Sequence, residues 1–353
     1  MSEIERNGKD FGALDRRTLL RGTALGAAGL ALGAGSVAAP AGPAQAATFI
    51  NGADISWAQQ MTALGYTWNN ASGQQQNLFT ILAGYGINAI RLRTWVNPSS
   101  DPVNGNCNID QTAAMAVLAK NAGMQVLIDY HFGDTWNSVG VQNPPAAWAG
   151  MTYSQMLNAM YNYVYDSMNI IKYYNVTPAW VQIGNEINSG ICHPIGGVNY
   201  PAQMTGLLNA AHDMVKEVFP STQVAIHLAQ PQNYSSMQTF FSAFSGNGGK
   251  WDMSVFSSYG SASVAAGIVA NMHEIASAYG KPFMQAEFGG PVSSPSGTET
   301  ALETYISALK SNGGLGLFYW EPEVYAPFDS YGSTAWSSAN REPTVIMNGF
   351  KNA

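Results

Sequence analysis

Two short strings each end an apolar run with a glutamate: Ile183-Gly184-Asn185-Glu186 and Gln285-Ala286-Glu287. A pair of carboxyl groups is the equipment for breaking a glycosidic bond with retention of configuration. One protonates the leaving oxygen, the other attacks the anomeric carbon, and the two face each other across about 5 Å. The chemistry also demands unequal environments, since the acid needs a raised pKa and the nucleophile must stay ionised. Glu186 and Glu287 are therefore the candidate catalytic residues, and the rest of the chain has to bring them together.

The elements that would do so repeat along the sequence as a short apolar run, a polar loop and an amphipathic helix. Strands are expected at 49–54, 89–92, 126–131, 180–184, 224–228, 253–259, 283–287 and 315–320. Helical spacing follows each of them. Leu78, Ile81, Leu82 and Tyr85 mark the first helix. Asp110 is expected to cap the second and Gly123 to end it. The fifth helix is expected to be short, near 237–244, and the last to lie near 345–350. Eight such units in about 300 residues predict an α/β fold, a single (β/α)8 TIM barrel. An open doubly wound sheet is the rival. It would show a phosphate-binding glycine loop after the first strand, where Gly52-Ala53-Asp54 runs instead into polar sequence.

Chemistry in such barrels sits where strands end, at the C-terminal face. The strand ends supply Asp54, Arg91, Arg93, Asp129, His131, Asn185, Glu186, His227, Tyr259, Glu287 and Trp320. Strands four and seven are expected on opposite sides of the mouth, so Glu186 and Glu287 converge there. A cation from the second strand would hold Glu287 ionised. Alternation puts Arg91 and Arg93 on one face and leaves the choice open, with Arg91, the deeper of the two, preferred. Asn185 is placed to hydrogen-bond a sugar 2-hydroxyl. His131 and His227 act either on substrate or as hydrogen-bonded rim residues. Trp320 is read as a sugar platform in preference to core. Trp136 and Trp148 are either stacking residues or loop packing.

Composition narrows the partner. The chain carries a net charge of −7, with 10% charged and 11% aromatic residues. It gains nothing from a phosphate backbone, so nucleic acid and polyanionic glycans are excluded. A neutral polysaccharide, held by stacking and hydrogen bonds, fits. No cofactor is expected. The segment 1–46 reads as a cleaved export signal: Arg16-Arg17 precedes an Ala-, Gly- and Leu-rich run, and Ala44-Gln45-Ala46 offers small residues for cleavage. Residues 47–353 would then be the catalytic domain, secreted or periplasmic, free of the membrane after processing, and monomeric. Cys107 and Cys192 are either bridged, as export permits, or both free, and neither sits at metal-ligand spacing.

Other chemistries fit less well. A metallohydrolase barrel would want His-x-His after the first strand, which has no histidine. His273-Glu274 lacks the second histidine of a zinc helix, and no Gly-x-Ser-x-Gly elbow ends a strand. A carbohydrate-binding barrel that no longer cuts would have no use for both glutamates.

Longer strings carry a resemblance. Gly52-Ala53-Asp54-Ile55-Ser56, Arg91-Leu92-Arg93-Thr94-Trp95-Val96-Asn97-Pro98 and Asp129-Tyr130-His131-Phe132-Gly133-Asp134-Thr135-Trp136 resemble glycoside hydrolase family 53. So do Gly184-Asn185-Glu186-Ile187-Asn188-Ser189-Gly190 and Gly314-Leu315-Gly316-Leu317-Phe318-Tyr319-Trp320-Glu321-Pro322. The resemblance implies an endo-β-1,4-galactanase acting on galactan or arabinogalactan, the side chains of pectin, with Glu186 as acid/base and Glu287 as nucleophile. Another neutral β-glycan, such as mannan or glucan, is the alternative substrate. Three rim stretches depart from the family pattern: Ser258-Tyr259-Gly260-Ser261, Phe288-Gly289-Gly290-Pro291 after the second glutamate, and Ile191-Cys192-His193-Pro194. Some bacterial members hold calcium in a rim loop. No dense acidic cluster stands here for one, so no metal is expected.

Overall fold

The computed structural model describes residues 48–353. The export signal read in residues 1–46 lies outside them. Eight parallel strands close into a barrel: β1 (Ile50–Asp54), β2 (Ala89–Thr94), β3 (Gln125–Tyr130), β4 (Trp180–Ile183), β5 (Gln223–Ala229), β6 (Met253–Ser257), β7 (Phe283–Phe288) and β8 (Gly316–Trp320). Each strand pairs with its neighbours in sequence, and β8 closes on β1 through Ile50 to Gly316 and Asp54 to Trp320. A helical layer surrounds it: α1 (Ala58–Ala63), α2 (Leu78–Gly84), α3 (Ile109–Asn121), α4 (Tyr153–Tyr173), α5 (Pro201–Val218), α6 (Tyr234–Gly246), α7 (Ala262–Ala278), α8 (Pro295–Ser311) and the short α9 (Gly349–Asn352). This is the (β/α)8 barrel expected, not the open sheet.

Several local expectations are corrected. The helix α1 inserts before the one read from Leu78. The cap of α3 is Asn108, not Asp110. The Asn108 side chain accepts from the Gln111 N–H at 3.0 Å, while Gln111 Oε1 accepts from the Asn108 N–H at 3.0 Å. This reciprocal arrangement satisfies two orphan donors, which leaves Asp110 in the first turn. The fifth helix, α6, runs 13 residues rather than being short. The last element is a 3-10 turn, Val345–Asn348, before α9. Cys107 and Cys192 are both free thiols, buried in different surroundings, against the carbonyls of Ser56 and Phe132. Burial pushes the first up to about 11 and the second up to about 12, so both are inert.

The barrel interior is layered. Its floor is apolar: Leu127, Trp180, Ala225, Met253, Met284, Ala286 and Phe318 pack there. Trp180 meets Phe318 edge to face, ring centroids 6.4 Å apart. Gly52 makes room for that phenyl ring, since a Cβ on Gly52 would stand 2.2 Å from Phe318 Cδ1. Above the floor the inward positions turn polar, with Asp54, Arg91, Asp129, Gln182 and His227 all fully or almost fully buried.

The strand β7 departs from regular pairing near its end. Between Phe256 and Ser257 of β6, the partner on β7 advances by two, from Gln285 to Glu287. Between Leu317 and Tyr319 of β8 it advances by three, from Gln285 to Phe288. So β7 carries an extra residue against both neighbours, a β-bulge, and such bulges re-aim side chains. Met284 and Ala286 face the interior, and strict alternation would turn Glu287 outward. Instead Glu287 joins Arg91 inside, and Phe288 packs outside on Tyr305 and Tyr319 at centroid distances of 5.3 and 5.5 Å.

Gly52→Ala is expected to destabilise the fold by about 1–3 kcal/mol through overpacking against Phe318. Denaturant unfolding measures it, and adding Phe318→Leu should recover part of the loss. An unchanged midpoint would contradict this packing.

Candidate active site

Arg91, on β2, is the centre of the mouth. Its guanidinium is 1% exposed and meets three carboxylates: Asp54 at 2.6 Å, Asp129 at 2.9 Å and Glu287 at 2.9 Å. It also donates to Asn185 Oδ1 at 2.9 Å and Gln182 Oε1 at 3.3 Å. Burial favours losing its proton, but the three carboxylates prevail and hold it charged. Asp129 shows the reciprocal effect. Burial works to raise it, yet Arg91 and His131 keep it below the ordinary carboxylate range.

The two glutamates line one cavity of 400 Å³ with His131, Trp136, Asn185, Trp320 and Tyr331. They come from β4 and β7, three steps apart around the eight-strand ring. Their surroundings differ. Glu287 holds Arg91 and accepts a hydrogen bond from the Tyr259 hydroxyl at 2.8 Å. Burial raises it, and these two partners oppose the rise. Among the described residues Glu186 forms no salt bridge within 4.0 Å, and its side chain accepts from the Val139 N–H at 3.4 Å. Burial, and then the charge of Glu287, pushes Glu186 up to about 7. Of the two, Glu287 is the one placed to ionise and Glu186 the one placed to hold a proton.

The backbone at Glu186 is unusual. Its φ is +50, just after Gly184 at +106. A non-glycine residue there costs about 1–3 kcal/mol and persists only where neighbours fix it. His227 does so: its Nδ1 accepts the Glu186 N–H at 3.3 Å, and its carbonyl accepts the Ile187 N–H at 3.0 Å. Burial, then the charge of Arg91, drives His227 far below its usual range, so it is neutral. Its Nε2 lies 2.5 Å from Ser257 Oγ.

Four residues named from the sequence as substrate contacts therefore lie beneath the cavity rather than along it: Asp54, Arg91, Arg93 and His227. Each is at most 1% exposed, and none is among the residues that line the cavity. Arg93 belongs to a second cluster. It pairs with Glu321, and its Cζ lies 4.5 Å from the Trp136 ring centroid and 4.9 Å from that of Trp57. It thus steadies Trp136, which also meets Trp320 edge to face at 5.9 Å. Burial pushes Glu321 up to about 7, and burial with the Glu321 charge pushes Glu323 well above its usual range. His131, Trp136, Asn185, Tyr259 and Trp320 line the cavity. Trp148 is loop packing, buried against Tyr163.

Sequence reasoning missed Gln182, Tyr331 and the loop 137–139. Gln182 had a signal, as the one polar residue in an apolar strand. Tyr331 had none: it lies in an aperiodic stretch, with its ring 4.5 Å from that of Trp320. Among the described residues, no group of three or more His, Cys, Asp and Glu is arranged to hold a metal, and no helix is long and apolar enough to cross a membrane.

Three comparisons place this geometry among known proteins. The model of glycosyl hydrolase family 53 matches residues 50–347. Arabinogalactan endo-beta-1,4-galactanase A of Emericella nidulans is 30% identical over 303 residues, covering 78% of this chain and 85% of that one. The Ignisphaera aggregans GH53 catalytic domain superposes with a TM-score of 0.80 at 28% identity, covering 88% and 97% of the two chains. A fungal beta-1,4-galactanase superposes with a TM-score of 0.79 at 28% identity, covering 87% and 100%.

Arg91→Met is expected to strand Asp54, Asp129 and Glu287 without a cation and to cost about 3–5 kcal/mol. Denaturant unfolding at neutral pH measures the loss. A cost below about 1 kcal/mol would contradict the central place given to Arg91.

Proposed function

The chain belongs to glycosyl hydrolase family 53, and from that premise we propose that it cuts internal β-1,4-galactosidic bonds of galactan or arabinogalactan by double displacement, with retention. The chain is a glycoside hydrolase, and the named activity of its Emericella relative supports the choice of substrate. One observation carries the mechanism: two glutamates share a cavity, and among the described residues only Glu287 pairs with a cation.

In the first step Glu287 attacks the anomeric carbon while Glu186 gives its proton to the departing oxygen. Arg91 and Tyr259 keep the attacking carboxylate ionised and aimed. In the second step Glu186, now a carboxylate, takes a proton from water as the water oxygen displaces Glu287. Trp320 and Trp136 offer ring faces to a neutral sugar, and Asn185 meets its 2-hydroxyl. Residues 1–46 would direct export through the twin-arginine pair, with 47–353 acting outside the cytoplasm as a monomer.

On de-branched galactan the intact chain is expected to release short galacto-oligosaccharides, and Glu287→Gln almost none. Equal release by both would remove Glu287 from the reaction. The pH profile follows from the acid's role. Glu186 must be protonated while Glu287 is ionised. So kcat/KM falls on the acid side as Glu287 takes up its proton, and on the alkaline side as pH rises through about 7, where Glu186 loses its own. On a nitrophenyl oligoside, whose leaving group needs no proton, Glu186→Gln should lose that alkaline limb. A limb that survives the substitution would contradict the assignment.

A further inference from the structure

Behind the aromatic wall, two more glutamates follow the end of β8. Glu321 and Glu323 are both fully buried. Glu321 is well served. Its Oε1 pairs with Arg93, and its Oε2 accepts the Trp57 N–H at 3.1 Å. Glu323 is not. Among the described residues no N–H or hydroxyl donates to either of its carboxyl oxygens. An ionised carboxylate buried without a donor is among the costliest groups a fold can hold. A carboxylic acid in the same place needs only an acceptor, and the Glu321 carboxylate is within hydrogen-bonding reach of it. The neighbouring titratable groups bring no second cation. Asp54 is committed to Arg91, Cys107 stays a thiol and Tyr331 stays a phenol.

The pair stands at a junction. The Glu321 N–H donates to the Asp54 carbonyl at 2.9 Å, and the Glu321 backbone is left-handed, with φ +46. The Glu323 carbonyl accepts the Trp68 Nε1–H at 2.9 Å. Two residues on, the Tyr325 hydroxyl donates to the Thr67 carbonyl at 2.7 Å. Trp57, whose N–H the Glu321 carboxylate holds, meets Trp320 and Trp136 edge to face at 5.2 and 5.5 Å. The segment that begins at Glu321 then carries Tyr331 to the cavity.

We infer that Glu323 keeps its proton and donates it to the Glu321 carboxylate, and that this shared proton latches the segment 321–331 to the end of β1. Both glutamates are then positioning residues, since neither lines the cavity. They act on a sugar through Trp57, Trp320 and Tyr331. Burial, reinforced by the Glu321 charge, holds the Glu323 proton as pH rises. Its loss sets two buried anions against one guanidinium and frees the segment. The latch does not depend on which glycosidic bond is cut.

The test sets the full chain beside Glu323→Gln and Glu323→Ala. Glutamine is neutral and keeps both a donor and nearly the same shape. Denaturant unfolding across a pH series reads the proton. A carboxyl protonated in the fold and ionised in the unfolded chain makes stability fall as pH rises above its unfolded value, about 4.3. The folded-to-unfolded ratio of the full chain, relative to that of Glu323→Gln, should therefore fall by up to about tenfold per pH unit above that value. Parallel curves, or a relative ratio that rises with pH, overturn the inference. So does a Glu323→Gln chain that does not fold. Glu323→Ala removes the donor. On whichever of galactan, mannan and glucan the full chain cuts, it should raise KM about tenfold, the scale of one lost hydrogen bond, with Glu323→Gln restoring it. An unchanged KM in Glu323→Ala, or no rescue by Glu323→Gln, overturns the latch. Inactivity of the full chain on all three glycans overturns the catalytic reading, and the unfolding comparison then decides the latch alone, as it does if Glu323→Ala does not fold.

Discussion

The mouth of this barrel is organised by one buried cation. Arg91 faces Asp54, Asp129 and Glu287 at 2.6 to 2.9 Å with almost no exposure to water. A buried ion pair is weak evidence of stability, because removing charge from water is costly. Its value here lies in allocation. Asp54 has Ser56 donating twice as well as the guanidinium, and Asp129 has His131. Glu287 has the guanidinium and Tyr259, and Glu186, the other carboxyl of the cavity, has no cation within 4.0 Å among the described residues. The site's remaining proton therefore falls on Glu186. In the proposed mechanism, two chemically identical side chains take opposite roles from where a single positive charge stands.

Backbone geometry delivers those side chains. The bulge in β7 turns Glu287 inward where alternation would turn it out, and the left-handed residue at Glu186 bends the chain across the end of β4. Both are departures from regular strand geometry, and both coincide with the residues proposed to do the chemistry. Neutral His227 supports the second, through a hydrogen bond from the Glu186 N–H that a charged ring could not accept. Arg93 plays a parallel part under the aromatic wall. Among the described residues two of its nitrogens have no hydrogen-bond partner, and beyond Glu321 it is ring faces that surround the charge.

The barrel itself was legible because its units repeat and its strands read as short apolar runs, a pattern visible in the order of residues along the chain. The candidate glutamates were legible because each closes such a run. The division between cavity wall and buried support was not. Asp54 and His227 are strand-end polar residues like Asn185, and only the depth of each along its strand separates them. The bulge was also hidden, since Gln285-Ala286-Glu287 reads as ordinary alternation and the extra residue appears only against Phe256 and Leu317. Tyr331 and the loop 137–139 reach the cavity from aperiodic stretches, where neither period nor turn chemistry points to a destination.

The claim on which the mechanism turns is that Glu287 forms a bond to sugar. A 2-deoxy-2-fluoro galactoside oligomer with a dinitrophenyl leaving group would trap that ester, and peptide mass spectrometry would locate it. One fluoroglycosyl group per chain, on the peptide containing Glu287, is the predicted result. A label on another residue, or no label together with products of inverted configuration, would contradict it.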